Sequence, residues 1–337
     1  MQPRLFMSHC VRHDDGSAPF PTPVLACDFG GTWIKFGWVR NGKVLVQDRL
    51  RVLYGAGLAK QLPQLKAAFE ELGLRMGLHP RDAAGIVFGL PCIVDFARNR
   101  VEQTFDKFTD ATKLNLSAWV RRAWGIPTAM ENDARMALVA EWRHGAGRGC
   151  QNAVMVTLGT GVGTAVLLEG KILRGQRYQA GNLGGIVVIN YDARHPAGCF
   201  QGTAEGEASS HALPGIIRRH PGYKKSMLAD ETDLTFATLI ACASRRDKVS
   251  REIFERVLDA WSAVMVNMVR SFDAERVIVG GGIMKAADVI LPALRKRMKR
   301  HLGPSARHVE IVTGRLGDHA ALLGAEWLLW DKLGQRK

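Results

Sequence analysis

The chain has 337 residues, 47% of them hydrophobic and 23% charged, with a formal net charge of +14. This length suits two domains, and the composition is ordinary for a soluble globular protein. The six cysteines form no CxxC pair, which argues against a disulfide framework or a zinc ribbon and favours a reducing, cytoplasmic location.

The N-terminal residues 1–23 lack the apolar core of a signal peptide, and we expect a flexible leader that ends at its prolines. No later stretch of about 18 apolar residues indicates a membrane span. The basic excess suits a polyanionic partner, but we expect most of it on a solvated surface. Its densest run, "LRKRMKRH" at 294–301, has helical apolar spacing and predicts the outer face of a helix.

The first predicted elements form an antiparallel meander. Apolar runs at 24–29, 34–39 and 44–50 are separated by "GGT" and "RNGK", which predicts strand, tight turn, strand, turn and strand. The same layout returns from residue 153, where "AVMVTL" is followed by "GTGVGT", "AVLL", "EGK" and "ILRG". The repeated layout indicates an internal duplication, with one such unit opening each half of the chain.

Helices and further strands follow each meander. Helical apolar spacing occurs at 58–78 (with Pro63 near its first turn), 116–125, 134–145, 251–272 and 319–333. Strands are predicted at 84–94, 126–133, 276–282 and 308–314. Alternating strands and helices, together with antiparallel meanders, predict a mixed-sheet α/β architecture in two similar halves.

The glycine run "LGTGVGT" at 158–164 predicts a phosphate-binding hairpin. A dinucleotide fingerprint needs a third glycine or alanine and a following helix, but Thr164 stands there and a strand follows. A P-loop is excluded because no GKS or GKT follows the glycines. The remaining option is a hairpin whose backbone N–H groups and Thr hydroxyls face the anion.

The first loop, "DFGGT", adds a carboxylate at the end of a buried strand. A carboxylate beside a phosphate loop needs a cation between the two, and Mg²⁺ is the usual one, so Asp28 is a candidate magnesium ligand. The alternative, that Asp28 only caps the turn, is less favoured because the loop has a twin. Lys35 adds positive charge there, unless it is simply a surface residue.

Two further motifs carry candidate chemistry. In "MENDARMAL", at 130–138, Asp133 is either a general base for an attacking hydroxyl or the N-cap of a helix, and the motif alone leaves both open. In "VGGGI", at 279–283, glycines after a buried strand would let an adenine ring lie on the backbone. Such turns are common, so this motif is not specific by itself.

Taken together, these motifs resemble the sugar kinase superfamily related to actin and hexokinase, and within it the ROK family of bacterial sugar kinases and repressors. The matching text is "DFGGTWIKFG", "ENDARMALVAE", "VTLGTGVGTAVLLEGKILRG", "AGNLGG", "IVGGGI" and "GDHAALLGAEWLL". The resemblance implies an α/β fold with two actin-like (ribonuclease H-like) domains, mixed sheets and an active site in the interdomain cleft. We expect domains at 24–133 and 134–317, with a closing helix at 318–337 that packs back on the first domain.

The resemblance also implies a role for each motif. ATP phosphates would lie against Gly30, Gly31, Thr32, Gly159, Thr160 and Gly161, with Lys35 nearby. Asp28 would hold Mg²⁺ through water, and Gly281 and Gly282 would border the adenosine. Asp133 would activate the 6-hydroxyl of the sugar, and Asn132 would bind sugar hydroxyls. A homodimer is expected from the same likeness.

The chain departs from the family pattern at its sugar and zinc positions. Where the family reads AGExGH, Asn182 replaces a sugar-contacting Glu and Gly185 replaces a zinc-ligand His. The family's CxCGxxGCxE is reduced to "HPAGCFQGTAEGEASS" at 195–210, in which Glu205 best fits the sugar-contacting Glu. Zinc needs about four ligands. Cys199 with His195 or His211 falls short, so we predict no structural zinc.

The leading prediction is an ATP-dependent hexose kinase that acts on the 6-hydroxyl. A polyphosphate-dependent glucokinase is an alternative, because such relatives also lack the cysteine cluster and a basic protein suits a polyanionic donor. A non-catalytic sugar sensor is the other alternative. Only about 23 residues precede the first predicted strand, too few for the helix-turn-helix of the family's repressors, so we expect no nucleic-acid binding.

Overall fold

The computed structural model describes residues 20–53, 55–105, 107–185, 202–304, 308–317 and 320–334. Most of the predicted leader lies outside these residues, and so do His195 and Cys199. The strands are β1 (Val24–Phe29), β2 (Trp33–Arg40), β3 (Lys43–Arg51), β4 (Gly85–Leu90), β5 (Ile93–Asp95), β6 (Arg100–Gln103), β7 (Thr128–Asn132), β8 (Ala153–Leu158), β9 (Val162–Leu168), β10 (Lys171–Ile172), β11 (Arg276–Gly280) and β12 (Glu310–Thr313).

The helices of the described residues agree in position with most of the predicted ones. They are α1 (Leu58–Leu74), α2 (Leu116–Trp124), α3 (Asp133–His144), α4 (Ala204–Ala208), α5 (Leu213–Arg219), α6 (Phe236–Ser244), α7 (Lys248–Phe272), α8 (Ala287–Leu302), α9 (Ala320–Leu323) and α10 (Ala325–Gly334). Short 3₁₀ turns occur at Pro80–Asp82, Ala111–Lys113, Tyr223–Lys225, Met227–Asp230 and Gly282–Ala286. None of the described helices is long and apolar enough to span a bilayer.

The two main sheets have the same topology. The first has the strand order β3-β2-β1-β4-β7, and the second has β10-β9-β8-β11-β12. In each sheet an antiparallel meander is extended by two parallel strands. This equivalence confirms the predicted internal duplication and the mixed-sheet architecture.

The matching "NGK" and "EGK" turns also share their backbone conformation. Asn41 and Gly42 have φ of 54° and 66°, and Glu169 and Gly170 have φ of 51° and 70°. Two consecutive left-handed residues are what a two-residue type I′ hairpin requires, and glycine at the second position adopts this conformation without strain. The short turn fixes the register of each meander.

Helix α3 lies between the two sheets and is buried on both faces. It contacts β4 and β7 of the first sheet and β8 and β9 of the second. Residues 134–141 are all buried, and small side chains such as Ala134, Ala137 and Ala140 let both sheets approach the helix. A single core cluster therefore joins the two halves, with α9 and α10 completing it.

The closing helix is broken, unlike the single helix predicted at 319–333. Helix α9 ends at Leu323 and α10 starts at Ala325. The backbone of Gly324 runs so close to α3 that a Cβ would collide with the carbonyl oxygen of Met136. A tertiary contact thus interrupts the helix, and only glycine fits at the break.

Helix α10 also contacts the first sheet. The carboxylate of Glu326 accepts hydrogen bonds from the backbone N–H groups of Asn41 (2.9 Å) and Gly42 (2.7 Å), and so satisfies the exposed turn of the first meander. The domain limits drawn from the sequence stay predictions.

Two smaller expectations can be compared with the structure. Pro63, expected near the first turn of its helix, lies in the second turn of α1, on the exposed face. The basic run at 294–301 is confirmed as part of a helix: α8 buries Ile290, Leu294, Met298 and Leu302 and leaves most of its cations exposed.

Candidate active site

Two acidic side chains approach each other across the middle of the first sheet. Asp28 lies near the end of β1 and pairs in register with Gly89 of β4. A Cβ on Gly89 would be 3.7 Å from the Asp28 carboxylate oxygen Oδ1 and 3.7 Å from the Cα of Asp133. The nearest atom to such a Cβ would be the Met136 sulfur of α3, at 2.8 Å, so a glycine in β4 is what lets α3 pack beside the predicted magnesium ligand and the predicted base.

Both carboxyls hold their protons more tightly than usual. Burial first, and then the charges of Asp28 and Glu205, raise the pKa of Asp133 to about 7, against the lowering effects of the Ala134 N–H and Lys107. Burial also raises the pKa of Asp28 to about 6, with Lys35 acting in the opposite direction. A carboxyl that titrates near neutral pH is suited to general base catalysis.

The N-cap of α3 is Asn132 rather than Asp133. The Asn132 side-chain oxygen accepts from the backbone N–H of Arg135 at 3.2 Å. Asp133 Oδ1 accepts from the N–H of Ala134 at 2.8 Å and from Asn132 Nδ2 at 3.0 Å. Asp133 is therefore not the N-cap residue itself, although its carboxylate accepts from one N–H of the first turn of α3. Within the described part of the chain no hydrogen-bond partner is found for Asp133 Oδ2.

The two predicted phosphate loops touch each other. A Cβ on Gly31 would collide with the hydroxyl of Thr160, so the first glycine loop lies directly against the second. Gly30 closes the first loop through a 3.0 Å hydrogen bond from its N–H to the carbonyl of Trp33. Thr32 differs from its neighbours, because its side chain is exposed and does not line the cleft.

The second loop is held by Glu205, in the first turn of α4. Glu205 Oε2 accepts from the N–H of Val162 at 2.9 Å, and a Cβ on Gly161 would lie only 2.6 Å from the same oxygen. The carbonyls of Gly159 and Thr160 accept from the N–H groups of Ser210 (2.9 Å) and His211 (3.2 Å). The carbonyls of this loop are therefore turned toward the segment after α4.

The glycines after β11 differ in their freedom. Gly281 has φ of 93°, and a Cβ there would collide with the backbone of Leu158, so no other residue fits. Gly282 faces open space, and a Cβ there would meet no atom within 4 Å. Both line the same cleft as the phosphate loops.

Asn182 reaches the cleft on a loop that is fixed from two sides. Arg135 Nη2 donates to the carbonyls of Tyr178 (2.9 Å) and Ala180 (2.8 Å), which ties the loop to α3. Thr164 of β9 donates its hydroxyl to the carbonyl of Gly181 at 2.7 Å. Asn182, which stands where the family has Glu, therefore lies on a loop that these three hydrogen bonds hold in place.

A network of charged side chains lies behind Asp133, and no motif in the sequence predicts it. The Glu131 carboxylate, fully buried in β7, accepts from Arg174 Nε (2.7 Å), from Arg135 Nη1 (3.5 Å) and from the N–H of Asn132 (2.8 Å). Arg174 also pairs with Asp331 of α10 at 3.1 Å. The network fixes the turn that presents Asn132 and Asp133.

Lys107 is a second residue that sequence reasoning missed. It lies in the loop after β6 and lines the cleft, and its Nζ would be 2.7 Å from a Cβ on Gly31. Its charge lowers the pKa of Asp133. A single lysine in an irregular loop carries no sequence signal, so only the fold could place it beside the phosphate loops.

All the predicted site residues except Thr32 line one cleft of about 950 Å³. The residues brought together are Asp28, Gly30, Gly31, Lys35, Asn132, Asp133, Gly159, Thr160, Gly161, Asn182, Glu205, Gly281 and Gly282. Among the described residues there is no group of three or more His, Cys, Asp or Glu side chains placed to hold a metal ion. A cation at Asp28 would thus need further oxygen ligands from substrate or water.

A sequence model of the ROK family matches residues 24–332. The chain is 28% identical over 320 residues to a glucokinase from Thermotoga maritima, and the match covers 92% of this chain and 98% of that protein. It also resembles a ROK hexokinase structure from Thermus thermophilus, at 25% identity and a TM-score of 0.75, covering 93% of this chain and 99% of that one.

A further solved structure is a ROK family glucokinase from Streptomyces griseus in complex with glucose and AMPPNP. It is 26% identical, with a TM-score of 0.75, and the match covers 91% of this chain and 98% of that chain. These likenesses confirm the predicted fold class, an α/β fold of two actin-like domains with mixed sheets.

Proposed function

The chain belongs to the ROK family, and from that premise we propose that it is a glucokinase-like enzyme that transfers the γ-phosphoryl group of ATP to the 6-hydroxyl of a hexose. An ATP-dependent sugar kinase is supported by the glucokinase and hexokinase relatives. The observation that carries the finer proposal is the position of Asp133, which lines the same cleft as both glycine loops and has a pKa raised to about 7.

In this proposal Asp133 is the general base. The carboxylate accepts the proton of the attacking hydroxyl as the new O–P bond forms, and a pKa near neutrality makes the deprotonated form available at the working pH. Asn132 and the ionic network behind it keep the carboxylate in one orientation.

The glycine loops are proposed to bind the phosphates of ATP. Gly30, Gly31, Gly159, Thr160 and Gly161 bring backbone groups and one hydroxyl to the cleft without bulky side chains. Thr32 is left out of this set because its side chain does not reach the cleft. Gly281 and Gly282 are proposed to border the adenosine.

Asp28 fits a magnesium site of the kind that shares its ligands with a nucleotide. Mg²⁺ in such sites is held by one or two carboxylates, with phosphate oxygens and waters completing the octahedron. Asp28 offers one carboxylate at the end of β1. A site of this kind does not need a cluster of three ligating side chains, and none is found among the described residues. When bound, Mg²⁺ would neutralise charge on the phosphates.

Asn132, Asn182 and Glu205 are proposed to bind sugar hydroxyls. All three line the cleft, and Glu205 and Asp133 are close enough for the charge of Glu205 to raise the pKa of Asp133. A neutral amide at position 182 offers both a donor and an acceptor, where a carboxylate would only accept. The choice of sugar is therefore expected to depend on this position.

A coupled phosphotransfer screen tests the proposal. ATP and polyphosphate are crossed with glucose, mannose, fructose, allose, glucosamine and the N-acetyl sugars, and the phosphorylated carbon is located by NMR. We expect transfer from ATP to the 6-hydroxyl of at least one hexose. Asp133→Asn should fold normally and lose at least about 10²-fold in kcat. Unchanged turnover in that variant contradicts the role of Asp133, and no transfer with any sugar contradicts the kinase.

The same screen separates the two phosphate donors. If polyphosphate were the donor, its rate would exceed that with ATP and fall steeply with added salt, since salt screens the attraction between a polyanion and a basic protein. An ATP rate that dominates at both low and high salt excludes that alternative.

A further inference from the structure

Lys107 places an ammonium group at the junction of the two phosphate loops. Its Nζ and the hydroxyl of Thr160 both lie close to Gly31, where a side chain at position 31 would collide with them. Lys107 is half-buried and lines the cleft. Within the described part of the chain the ammonium forms no ion pair or hydrogen bond, although it is near enough to Asp133 to lower the pKa of that carboxyl.

The residues that follow Lys107 are anchored to β1 and α1. Phe108 has φ of 51°, an unusual conformation for a residue with a side chain, and its ring packs edge-on against Phe29 of β1 at 5.5 Å. Asp110 accepts hydrogen bonds from the N–H groups of Leu58 (2.6 Å) and Ala59 (2.9 Å) at the start of α1. Backbone strain of this kind persists only where surrounding contacts enforce it, and it is concentrated at functional sites.

A positive charge at this place has a clear chemical use. The bound nucleotide would bring negative phosphate oxygens between the two loops, and Asp28 of β1 and Asp133 of α3, which line the same cleft, are both acidic. Charge stabilisation is the largest contribution that a protein makes to phosphoryl transfer. Lys35 of β2 lies beside Asp28, and its charge lowers the pKa of that carboxyl.

We propose that Lys107 is a catalytic residue that binds the γ-phosphoryl oxygens during transfer. This role rests on the proposed kinase function and deepens it. The acceptor oxygen forms a bond to the γ-phosphorus, the bond from that phosphorus to the bridging oxygen breaks, and ADP leaves with the electron pair. The hydroxyl proton goes to Asp133. Lys107 neutralises charge on the transferred group.

The test compares Lys107→Met, Lys107→Arg and Lys113→Met. Lys113 is exposed in the 3₁₀ turn of the same loop, so it is a matched control for changing a lysine there. Lys107→Met should lower kcat by about 10²- to 10³-fold, the effect of removing one donor to developing charge. The KM for the sugar should change by less than about threefold. Lys107→Arg should retain part of the rate, and Lys113→Met should match the wild type.

The pH dependence of kcat is a further test, because a residue with a merely structural role would not change it. Asp133 is faced by Asp28 from β1, by Glu205 from α4 and by Lys107 from the loop, and of these only Lys107 lowers its pKa. Removing that charge should move the acid limb of the kcat profile to higher pH in Lys107→Met but not in Lys113→Met. A limb that stays at the wild-type pH contradicts the placement of Lys107 beside the base.

The outcomes distinguish this proposal from the one on which it rests. An active wild type whose Lys107→Met variant keeps full kcat, or loses only affinity for the sugar, refutes the role of Lys107 and leaves the kinase intact. A wild type that transfers phosphate to no sugar refutes the kinase and the role of Lys107 together. Equal melting temperatures of the three variants would show that any loss of rate is not a loss of fold.

Discussion

Replacing the proposed base by its amide should make the protein more stable, and more so as the pH rises. The carboxyl of Asp133 has its pKa raised from 3.8 to about 7, chiefly by burial. Between these two pH values the folded protein retains a proton that the unfolded chain has lost. The free energy of unfolding of the wild type therefore falls as the pH rises through this window, and the penalty is complete above about pH 7.

The structure sets the size of this effect. A tenfold change in an equilibrium constant is worth about 1.4 kcal/mol, so a pKa raised from 3.8 to about 7 corresponds to an upper limit of about 4 kcal/mol. The amide oxygen of Asp133→Asn can still accept from the Ala134 N–H, now 2.8 Å from Oδ1. We expect the advantage of the variant over the wild type to grow by about 2 to 3 kcal/mol between about pH 4.5 and pH 9.

Urea unfolding followed by tryptophan fluorescence measures this difference without any ligand. The control is Asp230→Asn, which removes an exposed carboxylate and should change the free energy of unfolding equally at both pH values. The growth with pH is the diagnostic quantity, because a constant offset would report only altered hydrogen bonds. An Asp133→Asn advantage that is the same at both pH values, or a disadvantage at the higher one, would refute the burial argument.

Three other predictions follow from the same contacts. Gly281→Ala should lose more than about 1 kcal/mol of stability, because its φ is 93°, whereas Gly282→Ala faces open space and should melt with the wild type in thermal scans. Glu131→Gln should lower the free energy of unfolding by about 3 kcal/mol in urea titrations, since it breaks a buried ion pair with Arg174. The wild-type kcat should rise through about pH 7 as Asp133 deprotonates, and a flat profile there would contradict a carboxylate base.

The sequence predicted the parts of the fold that are set by local patterns. Short apolar runs separated by glycine turns indicated both meanders, and the twin "NGK" and "EGK" turns indicated the duplication that the two sheets confirm. The glycine motifs also predicted six of the glycines that line the cleft, because a backbone that must approach a ligand closely leaves glycine in the sequence. They are Gly30, Gly31, Gly159, Gly161, Gly281 and Gly282.

What the sequence missed depends on contacts between distant segments. The role of Gly89 follows from the pairing of β1 with β4, which no local pattern specifies. Lys107 enters the cleft only because its loop is tied to β1 and α1. The break at Gly324 arises from the close approach of α3, where a 3.6-residue period alone would continue the helix.

The duplicated sheets explain why the two phosphate loops would differ in chemistry. Asp28 of β1 and Thr157 of β8 occupy equivalent positions, each opposite a glycine of the adjacent parallel strand, Gly89 in the first sheet and Gly280 in the second. Both line the cleft, but only the first carries charge. A carboxylate at each position would put two negative groups beside a phosphate chain. In the proposed kinase the residues at the end of the first sheet therefore bind the cation and accept the proton. The residues at the end of the second sheet contact the phosphates without carrying a charge. Lys107, at the junction, then supplies the positive charge that neither glycine loop provides.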